Sequence, residues 1–261
     1  MRFLVVCLIF LIIFVLKPNK FSKLQKKDII PIAILGFFGV IVYHFGLNYG
    51  EQFISPGIAS LIIATIPIQI VILARIILKE KVSYSKYLGI ILALIGVIVI
   101  SIWGKTESAF VIEYAFGAVT ILIAAILAAF YTIAGKKLLE RYNGLSLTVY
   151  AILLGSIGLI PFFNQSLITE VNNMTINAWF AVIFLGIFST VIGYVIWYVA
   201  LKIKSASDIS IYLYAIPVIS TIISYFWFKD EITIMFILGG FLVLFGLYLV
   251  NAKKTKSNKK G

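Results

Sequence analysis

Charge is scarce in this sequence. Only 12% of its 261 residues are Asp, Glu, Lys or Arg, and 10 of those are acidic. A soluble domain is about a quarter charged and about half apolar; here 62% of residues are hydrophobic and the mean hydropathy is +1.11. The composition is that of an all-α polytopic membrane protein. Cys7 is the only cysteine, which excludes an intrachain disulfide and a cysteine metal site. His44 is the only histidine, and no HExxH occurs. No acid lies in the middle of an apolar run: Glu51, Glu80, Glu113, Asp208 and Asp230 all sit near run ends. An intramembrane enzyme would need paired Asp, a Ser–His pair or a metal cluster, so no catalytic residue, metal or cofactor is expected. GKT at 104–106 lacks the upstream glycine of a phosphate loop, since position 99 is Val99, and no direct use of ATP is expected. The net charge of +12 would suit nucleic acid, yet the lysines fall in short segments between apolar runs and in the tail KKTKSNKKG, as in cytoplasmic loops of membrane proteins. The expected partners are a small-molecule substrate and the lipid bilayer, with no nucleic acid; a homo-oligomer is compatible with the sequence.

What is present is a repeat. Residues 186–250 lie over residues 36–100 without a gap, at an offset of 150 positions. Gly36 falls on Gly186, Ser55 on Ser205, Ser60 on Ser210 and Pro67 on Pro217; Lys79 falls on Lys229, Glu80 on Asp230, Gly89 on Gly239 and Gly96 on Gly246. Two weakly similar apolar halves in one membrane chain mark a transporter built from a structural repeat.

A span needs about 20 apolar residues. The candidates are 3–16, 29–50, 54–78, 84–103, 113–135, 146–163, 177–200, 206–228 and 233–251, nine in all. Residues 3–16 follow one Arg as a signal peptide would, but only KPNK comes next, with no small-residue cleavage site. Shifted back by 150, residues 146–163 land on the start of the chain and 113–135 land before Met1. The expected organisation is therefore a first repeat at 1–103 with four helices, its N-terminal helix absent, a second repeat at 113–251 with five, and a basic cytoplasmic tail at 252–261. Alternate loops (17–28, 79–86, 136–145, 202–205 and the tail), with Arg75, hold 19 of the 22 basic residues. The opposite side keeps Arg2, Lys105 and Lys229. The tail is thus expected to be cytoplasmic, in a multi-pass plasma-membrane protein. The two repeats enter the membrane in opposite senses, an inverted repeat with its pseudo-two-fold axis in the membrane plane. The Lys- and Ile-rich composition suggests an AT-rich bacterial genome.

Polar groups inside a bilayer tend to face a cavity or a partner. His44 and Asn48 share a face of 29–50, and their repeat equivalents are Tyr194 and Tyr198, with Trp197 beside them and Thr190 one turn earlier. Ser210, Tyr214, Pro217, Thr221 and Ser224 form a polar stripe on 206–228, and Thr65 and Gln69 share a face of 54–78. The candidate substrate cavity is His44, Asn48, Gln69, Tyr194, Trp197, Tyr198, Ser210 and Tyr214. Pro67 and Pro217 each remove a rung of the helix ladder and are candidate hinges. The small residues Gly89, Ala93, Gly96, Gly239 and Gly246 read as close helix packing. His44 is the one residue in a span that could carry a proton, so facilitated flux or exchange is the favoured reading.

The segments GYVIWYVALKIKSASDISIYLYAIPVISTIISYFWFKDEIT and GIASLIIATIPIQIVILARIILKEKVSYSKYLGIILALIGVIVIS resemble the EamA group of the drug/metabolite transporter superfamily. Each shows an aromatic-rich or small polar entry, a helix with a central proline, an acidic turn and a glycine-bearing last helix. The resemblance covers nearly the whole chain. It implies a plan of ten helices in two inverted five-helix repeats, and export or exchange of small metabolites, often amino acids, by alternating access around a central cavity. Two departures stand out: the plan's first helix is absent, and the tryptophan often found in its sixth helix is replaced near Ala128. The alternative is a truncated or non-transporting membrane protein that acts as a partner or is an inactive fragment.

Overall fold

The computed structural model of the chain describes residues 1–53, 59, 62–103, 115–216, 218–219, 222, 226 and 233–252. No strand occurs among them. Helix α1 is Arg2–Leu16. Helix α2 runs Ile29–Gly36, widens to a π-helix over Phe37–Val42, and ends as Tyr43–Gly50. Next come helices α3 (Ile66–Ile77), α4 (Tyr84–Trp103) and α5 (Ala115–Leu138). Helix α6 is Gly144–Ser156, tightening to a 3-10 turn over Ile157–Phe162, and α7 is Gln165–Asn172. Helix α8 runs Ile176–Phe184, a π-helix over Leu185–Ile192, then Gly193–Ile203. Helix α9 is Ala206–Ser210 with a 3-10 turn at Ile211–Tyr214, and α10 is Ile234–Ala252.

Four helices among the described residues are long and apolar enough to cross a membrane: Lys26–Gly50, Phe116–Leu138, Gly144–Phe162 and Ile176–Ile203. Four shorter apolar helices accompany them: Arg2–Leu16, Ile66–Ile77, Tyr84–Gly96 and Ile237–Gly246. The molecule is an all-helical membrane protein. Two local departures from the sequence reading have plain causes. The run 54–78 is not one helix where it is described: the chain turns at Ala64–Thr65 and α3 restarts, so Pro67 lies in the first turn of a helix, where its missing N–H costs nothing. The loop 164–176 contains α7, started by Asn164, whose side chain accepts from the Leu167 amide at 3.1 Å. Pro217, Thr221 and Ser224 lie outside the described residues, as do most of 220–232 and the tail from 253.

The chain forms two compact units. One holds Met1–His44 and Ala134–Lys204; the other holds Phe45–Ile133 and Ser205–Gly261. Each draws on both halves of the sequence.

In the first unit, α6 packs on the first segment of α2. A methyl group on Gly36 would strike the backbone of Ala151, and one on Gly155 would strike the backbone of Gly36. Only hydrogen fits, which lets the two backbones touch. The loop before α2 is pinned to the start of α6. Asp28 is buried; Arg141 Nη2 lies 2.9 Å from its Oδ1 and the Tyr142 hydroxyl donates to its Oδ2 at 2.9 Å. The Gln25 amide donates to the Tyr142 oxygen at 3.0 Å, and the Ser22 amide to Ser146 Oγ at 2.7 Å. Burial, with the Asp28 carboxylate beside it, holds the Tyr142 phenol above its ordinary pKa, so it stays a donor. At the end of α8, Lys136 donates to the carbonyls of Leu201 and Lys204, the second at 2.7 Å, and Lys202 reaches the Tyr142 carbonyl at 3.0 Å. Cations thus close the carbonyl end of that helix.

In the second unit, α4 and α10 form the most extensive helix pair. A methyl on Gly96 would lie 2.5 Å from the Gly239 oxygen, and one on Gly246 would lie 2.5 Å from the Gly89 oxygen. The two contacts are the same contact shifted by 150 at both ends. Helix α3 ends with Lys79 in the left-handed region, φ 54°, and the Glu80 amide donating back to the Ala74 carbonyl at 3.1 Å. That closure usually takes glycine; a lysine there costs about 1 kcal/mol. The reversal delivers Glu80 to the start of α9, where its carboxylate accepts from the Ala206 amide (2.8 Å), the Ser207 amide (3.1 Å) and the Ser207 hydroxyl (2.6 Å). Lys86 pairs with Asp208 at 2.6 Å on the same turn.

Gly96→Leu should lower the thermal midpoint of the detergent-purified protein by several degrees, a loss of about 1–3 kcal/mol from overpacking, whereas Gly240→Ala, with nothing within 4 Å of the added carbon, should leave it unchanged. Glu80→Ala strips three hydrogen bonds from α9 and should cost about 2 kcal/mol in the same melt; an unchanged midpoint would show that the carboxylate is not needed there.

Candidate functional site

A π-helix widens a helix by about one residue per turn and is frequent at functional sites. This chain has two such stretches among its described residues, and each leads into a polar side chain. Thr190, buried in the second stretch, donates its hydroxyl to the Leu185 carbonyl at 3.2 Å, five residues back. His44 comes two residues after the first stretch and Tyr194 two residues after the second. The Tyr194 hydroxyl and His44 Nε2 are 3.0 Å apart. This hydrogen bond joins two positions separated by 150 residues, the offset of the sequence match. The His44 ring is also flanked by Phe3 at 5.4 Å and Tyr43 at 4.7 Å between centroids. Thr148 on α6 donates to Gly144 at 2.8 Å and approaches the Tyr194 carbonyl at 3.3 Å, which fixes the backbone beneath the pair.

Of the other candidates in the first unit, Trp197 is half-buried and Tyr198 is fully buried. A methyl on Gly135 would strike the Tyr198 phenol, so that ring fills a slot left by glycine. Arg2 opens α1 beside Phe3. Its guanidinium lies 5.0 Å over the Phe3 ring, which packs on the His44 ring.

The remaining candidates belong to the second unit. Asn48 is exposed. Gln69 Nε2 donates to Thr65 Oγ1 at 2.9 Å, and Thr65 in turn donates to the Ile62 carbonyl at 2.6 Å. Because the hydroxyl proton is committed to Ile62, the amide nitrogen must be the end that faces Thr65. Gln69 Oε1 is then left buried without a hydrogen-bond partner among the described residues, and the buried Tyr214 hydroxyl is in the same condition. Unpartnered buried polar atoms are costly. Ser210 is buried and donates to the Ser207 carbonyl at 3.2 Å. Thr65 also borders a cavity of about 540 Å³ lined otherwise by Ile62, Leu94, Ile98, Ala118, Val119 and Leu122. No group of three metal-ligating side chains occurs among the described residues.

The EamA-like transporter family model matches residues 1–102 and 115–252. The chain belongs to the EamA-like transporter family. An uncharacterized transporter of Archaeoglobus fulgidus is 39% identical over 254 residues, 97% of this chain and 87% of that protein. The uncharacterized transporter YdfC of Bacillus subtilis is 32% identical over 89% of this chain and 74% of its own. A probable terminal-alkyne amino-acid exporter of Streptantibioticus cattleyicolor is 29% identical over 90% of this chain and 77% of its own. A solved crystal structure shares the fold, with a TM-score of 0.76 and 18% identity over 96% of this chain and 85% of that one. Family and relatives are transporters, not enzymes. In this EamA-like chain the candidate polar groups of both units are hydrogen-bonding and aromatic, which suits recognition and release of a solute.

A double-mutant cycle on Tyr194→Phe and His44→Ala should give a coupling of about 1 kcal/mol in detergent melts. Additive single effects would mean that the bond contributes nothing.

Proposed function

We propose that this EamA-like transporter moves small organic metabolites, amino acids among them, out of the cell or in exchange, by alternating access. His44, Tyr194 and Trp197 are the residues assigned to the solute in the first unit; Gln69 and Tyr214, each with a buried polar atom to satisfy, are assigned in the second. The single observation that carries this reading is the His44–Tyr194 hydrogen bond. It lies in a helical pair whose helices each carry a π-helical stretch at matching positions, and such stretches are frequent at functional sites.

The inverted-repeat plan with nine spans belongs to the same proposal. Two sets of contacts support it. The Gly96–Gly239 and Gly246–Gly89 approaches exchange under a shift of 150, as a two-fold axis requires. A hydrogen bond between residues 150 apart is what the axis itself would pass through. The amino-acid class is supported by the relative described as a probable terminal-alkyne amino-acid exporter. Location in the plasma membrane with a cytoplasmic tail is supported by the basic loops.

Uptake into proteoliposomes tests the function, with labelled amino acids and small amines and with or without a pH gradient. Saturable flux above empty liposomes is expected, and Tyr194→Ala or Trp197→Ala should cut it about tenfold with the protein still in the membrane. Normal flux in both variants would remove these residues from the path. No flux from the chain would favour a non-transporting partner.

A further inference from the structure

The second unit holds a cavity of about 540 Å³ between α3, α4 and α5, within the size range of small-molecule sites, roughly 300–1,000 Å³. Its wall is aliphatic, with Ile62, Leu94, Ile98, Val119 and Leu122 on it. Val119 and Leu122 are exposed, so the cavity is reached from the protein surface. Among the described residues Thr65 is the one polar side chain on that wall, and no charged side chain joins it.

Thr65 stands at the N-cap of α3, where a threonine ordinarily accepts from an amide of the first turn. It makes no such bond. Its hydroxyl donates to the Ile62 carbonyl at 2.6 Å and accepts from Gln69 Nε2 at 2.9 Å. The proton is committed and one lone pair is used, while a hydroxyl oxygen has two. What Thr65 offers the cavity is therefore an acceptor. Gln69 Oε1 is buried and unpartnered among the described residues. By carboxamide bond lengths it lies no more than about 5 Å from Thr65 Oγ1, a second acceptor beside the first. The fold does not require this pair. At the offset of 150, Thr65 falls on Ala215 and Gln69 on Ile219, while Pro67 falls on Pro217. The other half of the chain thus carries the same proline with neither polar group. A buried acceptor without a donor is costly, and such local violations mark functional sites.

We propose that this cavity takes the apolar body of the solute, and that Thr65, oriented by Gln69, accepts a hydrogen bond from an uncharged N–H group on it. Gln69 acts through Thr65 and is a positioning residue. The proposal rests on the transporter reading and narrows it: the part of the solute that enters here is apolar and ends in an N–H donor without charge. A cation is disfavoured because no carboxylate stands on the wall among the described residues, and an acceptor-only group would meet the Thr65 oxygen with no proton to share.

The whole chain is placed in phosphatidylcholine nanodiscs, whose headgroups carry no N–H, and separately in lipid-free detergent. Equilibrium dialysis follows radiolabelled aniline and N,N-dimethylaniline, with empty discs or micelles as the blank. Both probes are uncharged at neutral pH, and only aniline has N–H. Aniline should bind about fivefold or more tightly than its dimethyl analogue, as the loss of one hydrogen bond predicts. In Thr65→Val the two should bind alike, and Thr65→Ser should keep the preference. Gln69→Leu should weaken the preference and raise the melting midpoint, because it removes a buried acceptor that has no donor. A lowered midpoint with the preference intact would make Gln69 merely structural and overturn its part. Equal binding of the two probes by the unaltered chain, or a preference that survives Thr65→Val, overturns the proposal. So does aniline binding in detergent that vanishes in nanodiscs, which would give the cavity to lipid chains. Flux of labelled amino acids in proteoliposomes without N–H selectivity in binding overturns this subsite and leaves the transporter standing. Selective binding without flux from any chain does the reverse.

Discussion

Inside a bilayer there is no water to complete a hydrogen bond, so a polar group must find its partner in the protein or in what the protein carries. Many of the described polar side chains obey that constraint with partners of their own. Thr148 and Thr132 donate back to carbonyls four residues earlier. Asp28 takes Arg141 and Tyr142, Glu80 takes the first amides of α9, and Lys136 takes the last carbonyls of α8. Against that background the exceptions are informative. Gln69 Oε1 and the Tyr214 hydroxyl are buried and unpartnered among the described residues. These are the places where a solute could supply what the fold does not.

The same shortage of water shapes the packing. Lipid tails are as apolar as leucine, so helices gain little from merely hiding apolar surface from lipid; they gain from close approach. Glycine provides it at Gly36, Gly155, Gly96 and Gly246, where an added carbon would enter a neighbouring backbone. The polar clusters that fix loops sit at helix ends, where carbonyls and amides are left over. Lys79 accepts a left-handed backbone at the spot that lets Glu80 reach α9. The glycine seams and the end clusters hold the helices of each unit in fixed register.

Much of this is legible in the residues. Hydropathy alone locates most of the described helices to within a few positions, because burial in lipid demands a continuous apolar run of set length. The spacing of 150 between matching glycines names the seam residues without any knowledge of their contacts. The same spacing marks His44 and Tyr194 as equivalent and polar. Other features are not legible. The restart of the helix at Ile66 depends on Pro67 and the turn before it, and a proline inside an apolar run reads equally as a kink or a break. The short helix α7 has too few apolar residues to announce itself.

Membrane residence, helicity and the correspondence of positions between the two halves all come from composition and local periodicity, and the chain's residues suffice for them. Which residues meet is a matter of the folded molecule: that His44 bonds Tyr194, that Tyr198 fills the slot at Gly135, and that Gln69 and Tyr214 keep unpartnered atoms among the described residues. Those outcomes depend on distances of a few ångströms between segments that are often far apart in the chain. They are set by how closely glycine lets backbones approach, which no pattern along a single helix contains.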